Sequence, residues 1–184
     1  MMVSYETERL RLELYNRKHI RETVRFYRRN AEALREYEPS RIPEFYTESY
    51  HRRQIGYDMK DMRELRYLSF VILKKEDAEK IIGFVNFSDI SFGVFRSCRV
   101  GYKMDKDERN RGYMREALGR LIRAMFEELR LHRIEANVMP FNSPSIKLLE
   151  TLGFEKEGYS RKYLRINGRW EDHINFAMIN EGEE

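Results

Sequence analysis

Apolar and polar residues alternate strictly in Arg9-Leu10-Arg11-Leu12-Glu13-Leu14, which predicts a half-buried strand. A helix follows from about Lys18 to Arg29, and Pro39 and Pro43 then bar helical continuation. From about Thr47 to Arg66, Tyr50, Ile55, Met59 and Met62 recur among many charges, the pattern of a helix acting as a lid or flank. Tyr67 to Leu73 and Ile81 to Phe87 read as strands joined through a turn at Glu76-Asp77, followed by a loop from Asp89 to Phe95. A fourth strand runs from Cys98 to Met104. Beyond it Met114, Leu118, Leu121, Ile122, Met125, Phe126 and Leu129 trace one helical stripe, on whose flank Glu116 and Arg120 stand four apart as a supporting pair. Ile134, Ala136 and Val138 alternate with Glu135 and Asn137 in a fifth strand. A short helix capped by Asn142 or Ser143 runs to Leu152 and stops at Gly153, and Asn167-Gly168 joins Tyr159–Ile166 to Trp170–Ile179 as a hairpin.

Between the fourth strand and the long helix lies Arg109-Asn110-Arg111-Gly112-Tyr113-Met114, a basic turn interrupted by glycine. The first N–H groups of a helix lack intrahelical partners, so a loop that bends them around a pyrophosphate satisfies them with charge of the right sign. Gly112 lets backbone and phosphate approach closely. The plainer alternative is a helix start with solvated arginines.

Length and composition narrow the field. At 184 residues the chain suits one domain, 1–184, without an obvious linker, repeat or low-complexity tract. Its 35 basic and 31 acidic residues are interspersed, so the net charge of +4 favours anionic ligands only mildly. A lone cysteine, Cys98, closes no intrachain disulfide and fits a reducing cytoplasm. Nothing before Arg9 resembles a signal peptide, and the aliphatic patch around Leu68 to Leu73 is too short to cross a bilayer. His19, His51, His132 and His173 have no ligand spacing, so no metal is expected.

Strand, basic glycine turn, helix, strand, Asn-Ser helix, Gly-Phe and hairpin together resemble the GNAT acetyltransferases. Lys80-Ile81-Ile82-Gly83-Phe84-Val85-Asn86-Phe87-Ser88, Gly112 to Leu118, and His132-Arg133-Ile134-Glu135-Ala136-Asn137 are similar to the ribosomal-protein-alanine N-acetyltransferases of the RimJ type. So are Thr7-Glu8-Arg9-Leu10, Gly153 to Tyr159, and Asn167-Gly168-Arg169-Trp170-Glu171-Asp172-His173. The resemblance is dense from Ile81 to His173 and thin from Tyr15 to Arg66, the part that would face the acceptor.

This resemblance implies an α/β GNAT fold: a mixed, mostly antiparallel sheet flanked by helices and splayed between the fourth and fifth predicted strands. It implies acetyl-CoA as cosubstrate and the N-terminus of a ribosomal protein, starting with alanine, as acceptor. The backbone of Tyr102, Lys103 and Met104 would align the pantetheine arm, while Arg109, Asn110, Arg111, Gly112, Tyr113 and Met114 hold the pyrophosphate. Met114 departs from the small residue that usually ends such turns. Asn142 and Ser145 match the family's Asn-x-x-Ser beside the thioester. Leu149 stands where many relatives carry a proton-donating tyrosine, which leaves the Ser145 hydroxyl to stabilise the thiolate, unless Ser143 and Ser145 only cap the helix.

Glu135, on the polar face of the fifth strand, is the candidate base through water, or else a partner of a surface arginine. Asn137 shares that face and cannot serve, being an amide. Cys98 has no histidine partner and reads as a packed thiol. Trp170, Tyr163 and Tyr102 either line an acceptor cleft or pack on the sheet. Arg161, Lys162, Arg165 and Arg169 suggest electrostatic contact with a ribonucleoprotein, without sequence-specific nucleic-acid recognition. A small-molecule amine as acceptor, or a non-catalytic CoA- or ribosome-binding module, are the alternatives.

Overall fold

In the computed structural model, which describes residues 3–182, the alternating run near the start forms β2 (Leu10–Leu14). A three-residue strand β1 (Ser4–Glu6), too short for a periodic signal, pairs with its outer edge. Antiparallel neighbours β3 (Leu68–Lys74), β4 (Asp77–Ser91) and β5 (Ser97–Met104) extend the sheet. β6 (Arg133–Val138) then joins β5 in parallel. β7 (Glu155–Ile166) and β8 (Arg169–Ile179) complete eight strands in the order β1-β2-β3-β4-β5-β6-β8-β7. This is the mixed, mostly antiparallel sheet that was expected.

Four helices flank it: α1 (Ile20–Leu34), α2 (Glu48–Arg63), α3 (Tyr113–Leu129) and α4 (Ser143–Leu152). α1 outruns its predicted end at Arg29 because Asn30, polar by type, is fully buried. Its amide donates to the Phe26 carbonyl and accepts the Lys106 N–H at 2.8 Å, tying the helix to the segment before α3. The run Phe70-Val71-Ile72 is buried on both sheet faces, as a central strand covered by helices must be. α3 contributes Leu118, Leu121, Ile122 and Met125 to the same core.

The feature that makes a site is where the sheet comes apart. β5 and β6 pair only at Ser97↔Arg133, Cys98↔Ile134 and Arg99↔Glu135. β5 continues along β4 to Met104, and β6 along β8 to Val138. Val100 to Met104 therefore present one edge of a strand, inside the sheet, with no strand beside it. Backbone groups on such an edge seek a partner that pairs as an extra strand would.

Candidate active site

The gap between β5 and β6 opens into a cavity of about 680 Å³. Ten of the twelve residues expected at the site border it: Tyr102, Lys103 and Met104 on β5; Arg109, Asn110, Gly112, Tyr113 and Met114 at the turn into α3; Asn142 and Ser145 at the start of α4. Arg111 and Glu135 do not.

At the turn, Gly112 is the N-cap of α3 with φ of +79°, a left-handed conformation that only glycine adopts without cost, and no side chain caps the helix. Asn110 is left-handed as well. The leading N–H groups of α3 consequently aim at the cavity uncapped, the arrangement an anion completes. Loop position is set from below by buried acids. Fully buried Asp105 takes Arg29 Nε at 2.5 Å and the Asp107 N–H at 3.1 Å. Burial pushes its carboxyl up, yet the Arg29 and Asp107 bonds outweigh that and hold it below the ordinary range. Buried Glu108 gathers Lys74, Lys80 and Arg111 at 3.2 to 3.4 Å, which engages the Arg111 guanidinium in an ion pair.

Arg9 locks the turn from the other side. Its Nη1 donates to the Arg111 carbonyl at 3.0 Å, its Nε to Glu116 at 2.7 Å, and its guanidinium lies over the Tyr113 ring. Thr7 and the Arg9 N–H also bond Glu116. The Glu116 and Arg120 pair expected from spacing is thus corrected: bonds from Thr7 and Arg9 at β2's entry claim Glu116, while Arg120 sits over the Tyr5 ring. The Thr7-Glu8-Arg9-Leu10 opening is a clamp on the turn into α3.

Near the middle of the cavity, Asn142 caps α4 by accepting the Ser145 N–H on its side chain. Ser145 lies inside the helix and caps nothing. Its hydroxyl is 2.6 Å from the Tyr102 hydroxyl. Burial pushes the Tyr102 phenol up to about 12, so it stays protonated and able to donate across the working range. With Tyr102 donating to Ser145 Oγ, the serine proton is free to point into the cavity. Leu149, fully buried, belongs to the core.

On the opposite face of the sheet the wall comes from distant segments. Glu38 pairs with Lys103 and, at 3.1 Å, with Arg41; burial raises its carboxyl, but these cations outweigh that and keep it below the carboxylate range. Asn137 donates to Asn175 at 2.8 Å. His173, Leu164 and Ile166 of the last hairpin close this end, whose tip is fastened by Asn167 to the Arg35 carbonyl and to Ser40. None of Glu38, Leu164, Ile166 or His173 had been given a role from sequence. The only signal was a histidine in a strand that proves 4% exposed.

The remaining candidates lie elsewhere. Glu135 is held by Arg133 at 2.8 Å and faces Arg99 at 3.7 Å, at the paired base of the gap rather than in it. Cys98 is buried and its thiol pushed up to about 12 by burial, the state of an inert packed thiol. Trp170 is 60% exposed and Tyr163 packs edge-on against His173. Among the described residues no helix is long and apolar enough to cross a membrane.

Residues 9–155 match the family described as the acetyltransferase (GNAT) domain. The chain belongs to the GNAT acetyltransferases. It is 36% identical to a probable N-acetyltransferase, YjcK, of Bacillus subtilis over 84% of this chain and 85% of that protein. It is 35% identical to the ribosomal protein uS5-alanine N-acetyltransferase of Escherichia coli, over 96% of this chain and 90% of that one. Among solved structures, the ribosomal-protein-S5-alanine acetyltransferase of Vibrio fischeri superposes with a TM-score of 0.94 at 35% identity, covering 100% of both chains. The GNAT chain is an acetyl-CoA-dependent N-acetyltransferase. The uncapped helix start and the free β5 edge are chemically suited to that cosubstrate's pyrophosphate and amide-bearing arm.

Proposed function

We propose that residues 1–184 act as one cytoplasmic domain that acetylates the N-terminal α-amino group of a ribosomal protein, with alanine first. The observation that carries this reading is the likeness to the uS5-alanine enzyme, which runs through both ends of the cavity and not through the CoA turn alone. A protein N-terminus also suits the chemistry: its amine has a pKa of roughly 8 against about 10.4 for lysine, so more of it is the free nucleophile near neutrality.

In this reading the turn from Arg109 to Met114, chiefly through backbone N–H groups, holds the pyrophosphate, and Tyr102, Lys103 and Met104 align the pantetheine arm along the β5 edge, with Asn142 shaping the wall beside it. Attack forms a bond from nitrogen to the acetyl carbon. The carbon–sulfur bond breaks, and the Ser145 hydroxyl stabilises the departing thiolate. Tyr102 is the positioning residue that orients that hydroxyl. Glu135, bound by two arginines outside the cavity, is given no part in proton transfer.

Mass spectrometry of products from acetyl-CoA and a panel of amines tests the acceptor. An alanine-initiated peptide should be labelled far faster than spermidine, an aminoglycoside or a peptide with only internal lysines, and an N-terminally blocked peptide should not react. Preference for the polyamine or drug amines overturns the protein-acceptor reading.

A further inference from the structure

The cavity passes from one face of the sheet to the other, and its two faces carry different chemistry. Ser145 and Tyr102 lie on the α4 side. On the other side stand Lys103, Asn137 and His173, with Glu38 above them. An amine arriving from that second side meets the thioester carbonyl across the gap while sulfur leaves toward Ser145, so the proton to be lost points toward His173 and away from the leaving group.

We propose that His173 is the general base of the acetyl transfer, taking the proton from the attacking amine on Nε2. The geometry fixes which nitrogen is available. Nδ1 lies 3.1 Å from the Glu171 carbonyl, which can only accept, so Nδ1 carries the proton and Nε2 holds a lone pair. Nε2 has no hydrogen-bond partner among the described residues. It is also absent from the side-chain atoms that are both sealed off and unpartnered, namely Tyr15 Oη, His51 Nε2 and Glu108 Oε2. An open, unpaired acceptor in a cavity wall is what a base requires. The Tyr163 ring, edge-on at 5.3 Å, braces the imidazole.

The surroundings keep it neutral. Burial lowers the imidazole below its ordinary range, outweighing the Glu171 carbonyl and the charges of Glu171 and Asp172 on its own strand. The charged groups facing the cavity from other elements are Glu38 with its partner Lys103, and Glu108, Arg109 and Arg115 toward the phosphate end. The step balances: nitrogen gains carbon and loses its proton to Nε2, the C–S electron pair leaves on sulfur, and the imidazolium returns the proton to water.

This assignment rests on acetyl transfer to an amine, not on which amine, so an alanine-initiated peptide and spermidine are assayed side by side; failure of the peptide alone would sink only the acceptor reading. Two pH profiles decide it. With wild type, kcat should fall on an acid limb no higher than about pH 6.5, the ordinary imidazole range, and His173→Asn should lack that limb; a single acid limb near 8, where a free N-terminal amine titrates, with none below it, overturns the base. His173→Asn keeps a donor to the Glu171 carbonyl but lacks the lone pair at Nε2. It should lose on the order of 10²-fold in kcat near pH 7, narrow to within about tenfold at pH 9, and bind CoA unchanged. Wild-type turnover, or a loss equal at every pH, overturns the proposal and leaves His173 a strand anchor.

Discussion

The two ends of the cavity, which we assign to the phosphate and to the acceptor, are built on opposite plans. The first is one continuous stretch, from β5 through the glycine turn into α3, and it offers main-chain groups: free N–H groups at a helix start and an unpaired strand edge. The second is assembled from the end of α1, the middle of β6 and the final hairpin, and it offers side chains, Glu38, Asn137 and His173, beside Lys103 of β5. Main-chain groups are presented whatever the side chain, and Met114 at the end of the turn lines the cavity without filling it. Side-chain groups change with the sequence, so the acceptor end is where specificity can diverge on a shared fold.

Ser145 sits between the two ends, and its replacement separates chemistry from binding most sharply. Ser145→Ala should lower kcat on the order of 10²-fold to 10³-fold with the acetyl-CoA dissociation constant unchanged, because the hydroxyl meets charge that develops only as sulfur leaves. Steady-state and single-turnover rates measured together give the answer. Unaltered turnover with chemistry rate-limiting would return the thiolate to solvent.

A smaller effect, confined to the phosphate end, is expected of Gly112→Val. At φ of +79° a side chain costs roughly 1–2 kcal/mol, and an added Cβ comes within 3.4 Å of Arg9 Nη2, part of the clamp on the turn. Calorimetry should find CoA bound roughly tenfold to a hundredfold more weakly, while peptide KM at saturating acetyl-CoA hardly moves. A folded Gly112→Val protein with parental CoA affinity removes the turn from the phosphate site.

The same contrast explains what could be read in advance. β2, α3 and the Asn167-Gly168 hairpin carry their signal locally, as alternation, as a helical stripe and as turn chemistry, and each forms where that signal lies. The splayed sheet was expected from resemblance, since no local pattern says where β5 and β6 stop pairing. Clamp contacts were hidden for another reason. Glu116 looked like Arg120's partner by helical spacing, but Thr7 and Arg9, more than a hundred positions earlier, are nearer. Glu135 illustrates the limit: strand alternation gives its face correctly and cannot say that Arg133 and Arg99 flank it below the gap.

The smallest expected effect concerns the outer rim of the acceptor end. Many surface cations are matched by nearby carboxylates, as in Arg52 with Glu48 or Arg66 with Glu64. Arg161, Lys162, Arg165 and Arg169 are exposed on the last hairpin, and none forms an ion pair among the described residues. Such a patch attracts polyanions at long range, with attraction screened over about 8 Å at physiological salt. Changing all four to glutamine leaves the fold supported, because Asp172 holds β7 through the Lys162 N–H at 2.7 Å and the Tyr159 hydroxyl, neither of which is lost. For an uncharged alanine-initiated peptide, kcat and KM should stay at parental values. For the same N-terminus presented on a ribosomal particle, KM should rise a few-fold to about tenfold at low salt, and that difference should vanish near 0.5 M salt, as screening predicts. Equal effects on peptide and particle would mean that the hairpin shapes the cavity itself, and no effect on either would confine acceptor recognition to the residues inside it.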